Sequence, residues 1–90
     1  MRKIALLTIA AAALGAATAQ AGSLGKPCTT APEGQWLSIE QLQAKVEALG
    51  FKVEKAKLKK ACGELYTLDK NGNRVELFVD PTNGQIVGRL

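Results

Sequence analysis

Apolar positions along this chain repeat with two periods. Ile39, Leu42, Val46 and Leu49 stand three or four apart within "LSIEQLQAKVEALG" (37–50), the spacing of one helix face. Beyond Phe51 the period falls to two, and alternate residues of "ELYTLDKNGNRVELFV" are apolar, as in half-buried strands. The helix start is marked. Ser38 is a capping residue, Gln41 three positions on completes a capping box, and Leu37 and Leu42 hold the N′ and N4 positions of a hydrophobic staple. Gly50 suits the C′ position, where φ turns positive. Strands follow at once, so the helical stripe reads as a core face rather than a membrane-surface face.

Asn71-Gly72 between two alternating segments predicts a hairpin. As a two-residue loop it sets Leu68 against Val75, Tyr66 against Leu77 and Glu64 against Val79. On the reverse face Asp69 meets Arg74, Thr67 meets Glu76 and Leu65 meets Phe78. Apolar meets apolar and opposite charges meet, as a sheet register requires. Next, Pro81-Thr82-Asn83-Gly84 reads as a four-residue loop that sets Val79 against Ile86, Leu77 against Gly88, Val75 against Leu90, Phe78 against Val87 and Glu76 against Arg89. Asp80 before Pro81 reads as a turn starter, its carboxylate bonding backbone N–H groups ahead of it.

The first strand, "FKVEKAKLK" (51–59), folds back around Lys59-Lys60 and sets Phe51 against Leu68, Val53 against Tyr66 and Lys55 against Glu64. The helix-covered face is then Phe51, Val53, Tyr66, Leu68, Val75, Leu77, Val79, Ile86 and Leu90, with Cys62 at its end. The predicted architecture is α+β: one N-terminal helix packed on a four-stranded antiparallel meander. Leu65, Phe78 and Val87 cluster on the outer face. Two readings stay open for them: an interface with a partner, or a floor covered by the preceding arm together with Trp36.

Residues 1–21, "MRKIALLTIAAAALGAATAQA", carry a basic start (Arg2, Lys3), an apolar run and an Ala19-Gln20-Ala21 cleavage pattern, the three parts of a secretory signal peptide. Its apolar run is shorter than the ~20 residues of a spanning helix. Cleavage between Ala21 and Gly22 leaves 69 of the 90 residues and places the protein in the periplasm. Lys+Arg falls from 12 to 10 against 8 acidic residues, so the net charge drops from +4 to +2. Residues 22–35 are rich in Gly, Pro, Ser and Thr and read as an extended arm; 36–90 form the domain. A domain this small is marginally stable on its core alone. Cys28 and Cys62, the two cysteines, are therefore expected to form one disulfide that tethers the arm, worth roughly 3–4 kcal/mol by loop-closure entropy. With no C-x-x-C and no His, a redox pair or a cysteine metal site has no support.

No catalytic constellation is legible, and no cofactor is expected. Asp69, Asn71, Asn73 and Asp80 fall on positions 1, 3, 5 and 12 of a calcium loop, but Arg74 stands where position 6 demands Gly. Lys52, Lys55, Lys57, Lys59 and Lys60 form a basic run. Glu54 within it, the small net charge and the export pattern argue against nucleic acid. A lysine-rich edge that resists sheet-to-sheet pairing explains the run, and an acidic partner surface or anionic lipid is its alternative use.

The stretch "LGFKVEKAKLKKACGELYTLDKNGNRVELFVDPTNGQIV", with the helix before it, resembles a PepSY domain. The shared features are Gly50-Phe51 entering a strand, Asp69 with Gly72 at the hairpin, and Asp80-Pro81 with Gly84 at the next turn. The family often has Thr directly before the last Gly; here Asn83 takes that place. The resemblance covers roughly Leu37–Val87. It implies a non-catalytic module that regulates peptidases, as in the propeptides of secreted metallopeptidases, with an envelope protein as partner. No peptidase domain follows in this sequence, which sets a propeptide role in cis aside. The alternative is an accessory or sensor protein of a membrane system that binds an anionic or lipidic ligand through the lysine edge.

Overall fold

The computed structural model describes residues 23–90; the signal-like segment and the Ala21–Gly22 cleavage position lie outside them. The chain forms one α-helix, α1 (Ile39–Glu47), and four strands, β1 (Lys52–Lys59), β2 (Cys62–Leu68), β3 (Arg74–Val79) and β4 (Ile86–Arg89), in the antiparallel order β1-β2-β3-β4. This is the α+β helix-on-meander arrangement expected from the pattern, with Cys28 and Cys62 disulfide-bonded.

α1 begins where its residues require. The Gln41 N–H donates to Ser38 Oγ at 3.1 Å and the Ser38 N–H donates to Gln41 Oε1 at 2.9 Å, so two otherwise unpaired backbone donors are satisfied reciprocally. Leu42 and Val46 are fully buried against Leu65, Leu77 and Val79, and Leu37, Phe51, Val53, Ala56, Leu58, Val75 and Ile86 pack around them. Leu49, the fourth member of the stripe, is exposed. The helix passes close over β2: a Cβ on Gly63 would lie 2.6 Å from Val79 Cγ2 and 3.1 Å from Leu42 Cδ1.

Strand registers differ from expectation at three places, each for a local reason. The β2–β3 loop is longer than the two residues Asn71-Gly72. The Gly72 N–H donates to the Asp69 carbonyl, the Asp69 N–H to the Asn73 carbonyl, and Gly72 itself takes φ +82°. This is the turn-plus-left-handed-glycine loop that competes with the two-residue type. One extra residue moves Leu68 from Val75 to Arg74, and Leu65 now pairs with Leu77, Tyr66 with Glu76 and Glu64 with Phe78. A one-residue slip exchanges the faces of a strand. Leu65 and Thr67 therefore face the helix, while Tyr66 and Leu68 face away. Buried Thr67 satisfies its hydroxyl by donating to the Val75 carbonyl at 2.8 Å.

The β1–β2 turn is Lys60-Ala61 rather than Lys59-Lys60, and a bulge at Glu54 separates the pairs Val53–Thr67 and Lys55–Tyr66. Both turn residues adopt positive φ, +52° and +62°, which two-residue hairpins demand and side chains with a Cβ resist. A second irregularity in β4 leaves Val79 opposite Ile86 as expected but sets Phe78 against Gly88 and Leu77 against Arg89. Leu90 exchanges backbone hydrogen bonds with Glu76, which puts it on the outer face instead of the core.

The turn after β3 is the one its residues suggest. The Asp80 carboxylate accepts from the Thr82 N–H at 2.9 Å and the Thr82 hydroxyl at 2.6 Å. The Asp80 carbonyl accepts from the Gly84 N–H at 2.7 Å, with Gly84 at φ +79°. Buried Pro81 presents its carbonyl to the Leu37 N–H at 2.7 Å, fastening this turn to the entry of α1.

Candidate functional site

The helix covers one face of the sheet, so any surface the sheet itself offers lies on the other. β2 residues of even number face outward. Cys62 is among them, not on the helix-covered side, because it shares the parity of Tyr66 and Leu68. The arm consequently lies across the outer face at one end. The Cys28 N–H donates to the Ala61 carbonyl at 3.2 Å, and a Cβ on Gly88 would lie 2.6 Å from Leu24 Cδ1. Gly88 pairs with Phe78, and Phe78 is 1% exposed. Of the three residues proposed as an outer apolar patch, Leu65 sits in the core beneath α1, Phe78 is buried on the arm side, and only Val87 is exposed. They do not form one patch. Trp36 plays another part: half-buried, it donates its indole N–H to the Ala31 carbonyl at 3.0 Å and so braces the arm on itself.

The rest of the outer face is charged. Through the Glu54 bulge, Lys52, Lys55, Lys57 and Lys59 pair in turn with Leu68, Tyr66, Glu64 and Cys62, so all four lysines lie on the face away from the helix. Arg74, opposite Leu68, joins them. Lys60 lies apart in the turn. Lys57 folds inward: its Nζ is 4.0 Å from Glu64 Oε1 and 5.8 Å from the Tyr66 ring centroid. Among the described residues this is the one ion pair, so Lys52, Lys55 and Lys59 stand in solvent without a carboxylate partner.

Beneath the cations lie two buried carboxylates, Glu64 and Glu76, 3% and 8% exposed. Glu76 Oε2 is buried without a hydrogen-bond partner. Burial first, and the neighbouring Glu64 charge second, push the Glu76 carboxyl above the ordinary glutamate range, because both disfavour the ionised form. Glu76 also lines a shallow hollow of about 250 Å³ with Glu54, Tyr66, Arg74 and Leu90.

The calcium-like residues are not assembled, since Asp69 and Asp80 lie at opposite ends of β3. Asp69 instead organises its loop, accepting from the N–H groups of Asn71 and Asn73 at 2.8 and 2.9 Å. The Asn73 bond in particular holds the Asp69 carboxyl below its usual range.

Sequence reasoning identified the lysines but missed Glu64, Tyr66, Arg74 and Glu76 as their companions, because the companions depend on the β2–β3 loop. A signal for the bulge was present. Val53, Ala56 and Leu58, like Lys52, Lys55 and Lys57, step by three and then by two. Both faces therefore change phase at one residue, Glu54.

Compared with known families, the chain matches the model described as the peptidase propeptide and YPEB domain over residues 5–89. No curated protein and no solved structure matches it.

Proposed function

The chain belongs to the PepSY family of peptidase propeptide and YPEB domains, and from that premise we propose that it is a non-catalytic, exported protein-binding module that regulates a peptidase of the cell envelope. The family match across nearly the whole chain carries this reading. Three further observations support it. The N-terminal sequence has the pattern of an export signal. The single disulfide suits an oxidising compartment. The chemistry-bearing side chains of the sheet form a broad, charged face that suits a macromolecular partner. No helix among the described residues is long and apolar enough to cross a membrane.

The test is inhibition. Disulfide-bonded protein covering residues 22–90 is titrated into purified envelope metallopeptidases and into a peptidase-free binding assay. Saturable loss of proteolysis, with unchanged hydrolysis when the protein is heat-unfolded, supports regulation. Cleavage of the protein as an ordinary substrate, with no inhibition of any peptidase, overturns it. The second reading, an accessory protein that binds an anionic or lipidic ligand, draws on the four lysines of one face and predicts binding to anionic vesicles that weakens with salt.

A further inference from the structure

The outward backbone groups of β1 have no partner. It is the first strand of the sheet, and among the described residues its ladder bonds run to β2 alone. Beyond the Glu54 bulge its register is continuous from Lys55 to Lys59. An open edge of this kind is a template for a further strand.

Its side chains decide which strand. Lys55, Lys57 and Lys59 repeat every second residue on the outer face, with roughly 6.5–7 Å between successive Cα positions. A second copy of β1 would set lysine against lysine, and like charges directly opposite destabilise a pair. A strand with Asp or Glu at alternate positions has the same period and the opposite charge. Two of these lysines, Lys55 and Lys59, have no ion pair to break. Of the acidic residues on this face, Glu64 and Glu76 are buried, and exposed Glu54 stands in the bulge, outside the Lys55–Lys59 run. The edge thus rejects itself and accepts an acidic strand.

We propose that the Lys55–Lys59 edge of β1 is the docking site for an extended acidic segment of a partner protein, added as a fifth strand with its carboxylates over the lysines. This rests on the reading of the chain as a protein-binding module and names the element it recognises.

The test uses disulfide-bonded protein covering residues 22–90 and three labelled peptides of equal length: one alternating Glu and Val, one alternating Lys and Val, and one with the charge of the first but a central proline. Binding is read by fluorescence anisotropy and by amide chemical shifts. The inference expects the alternating acidic peptide alone to bind, with the largest shifts and new amide protection between Lys55 and Lys59, and affinity falling with salt. The exposed double substitution Lys55→Glu with Lys59→Glu should weaken binding about tenfold or more while leaving the amide spectrum of α1 and β3 unchanged. Equal binding of the proline peptide, shifts confined to another surface, or binding to anionic vesicles without the acidic peptide would each overturn it. Because the readout is peptide binding, the inference can fail while peptidase inhibition stands, and the reverse.

Discussion

Asp80 shows how much one side chain can do when its neighbours suit it. Its carboxylate holds both the N–H and the hydroxyl of Thr82, and its carbonyl closes the turn onto Gly84. Asp80→Ala should cost roughly 1.5–3 kcal/mol, the range for hydrogen bonds to a charged group. Asp80→Asn should cost less, since it keeps an acceptor. Urea midpoints of the two variants check the order. Glu76 acts in the opposite sense. Its folded pKa is raised, so the fold holds a proton that the unfolded chain would release. The resulting penalty is full above the folded pKa and relieved as pH falls through it. Stability should therefore rise from neutral pH into mild acid, and Glu76→Gln should both raise stability at neutral pH and abolish that rise. At lower pH the trend reverses, because Asp69, with its lowered pKa, loses its contribution as pH falls through its folded value. Thermal midpoints across pH for the wild type and the glutamine variant decide this.

Elements were legible where their signals were local. Ser38, Gln41, Leu37 and Leu42 define the start of α1 within six residues, and the helix begins at Ile39 as they require. The α+β architecture follows from such segments and their order. Registers were less legible: those of β1–β2 and β2–β3 depend on turns whose length the same residues leave open, and that of β3–β4 starts at Val79–Ile86 as expected but slips at an irregularity one residue on. Asn71-Gly72 satisfies a two-residue hairpin, yet Asp69 captures the N–H groups of Asn71 and Asn73 and draws the chain into the longer loop. That one choice moved Leu65 into the core and Tyr66 out of it. The lysines of the candidate site could be read directly; the buried glutamates beside them could not. The β1–β2 turn is the weakest joint. Lys60 and Ala61 each hold a left-handed conformation that costs roughly 1–2 kcal/mol for a residue with a side chain. Replacing the pair by Asn-Gly should raise stability by about 1 kcal/mol or more, seen as a higher denaturant midpoint with an unchanged slope.

In the molecule as a whole, the two faces of the sheet are closed by different means. Apolar burial under α1 closes one. The arm, fixed by Cys28–Cys62, closes an end of the other. Replacing both cysteines by serine should cost roughly 3–4 kcal/mol and free the arm. Phe78 then loses the cover above Gly88, and a dye that reports exposed apolar surface should bind the double variant more strongly than the wild type. The helix face should keep its amide protection, since Leu42, Val46, Leu65, Leu77 and Val79 touch none of the arm's fastenings.

Leu24 resting on Gly88 means that the two ends of the described chain meet at one corner. A bridge of a few residues can therefore close the described residues into a ring. A short Gly-Ser bridge from Leu90 to Ser23, with new termini opened between Lys70 and Asn71 in the exposed β2–β3 loop, should give a circular permutant with the same disulfide and the same amide shifts in α1.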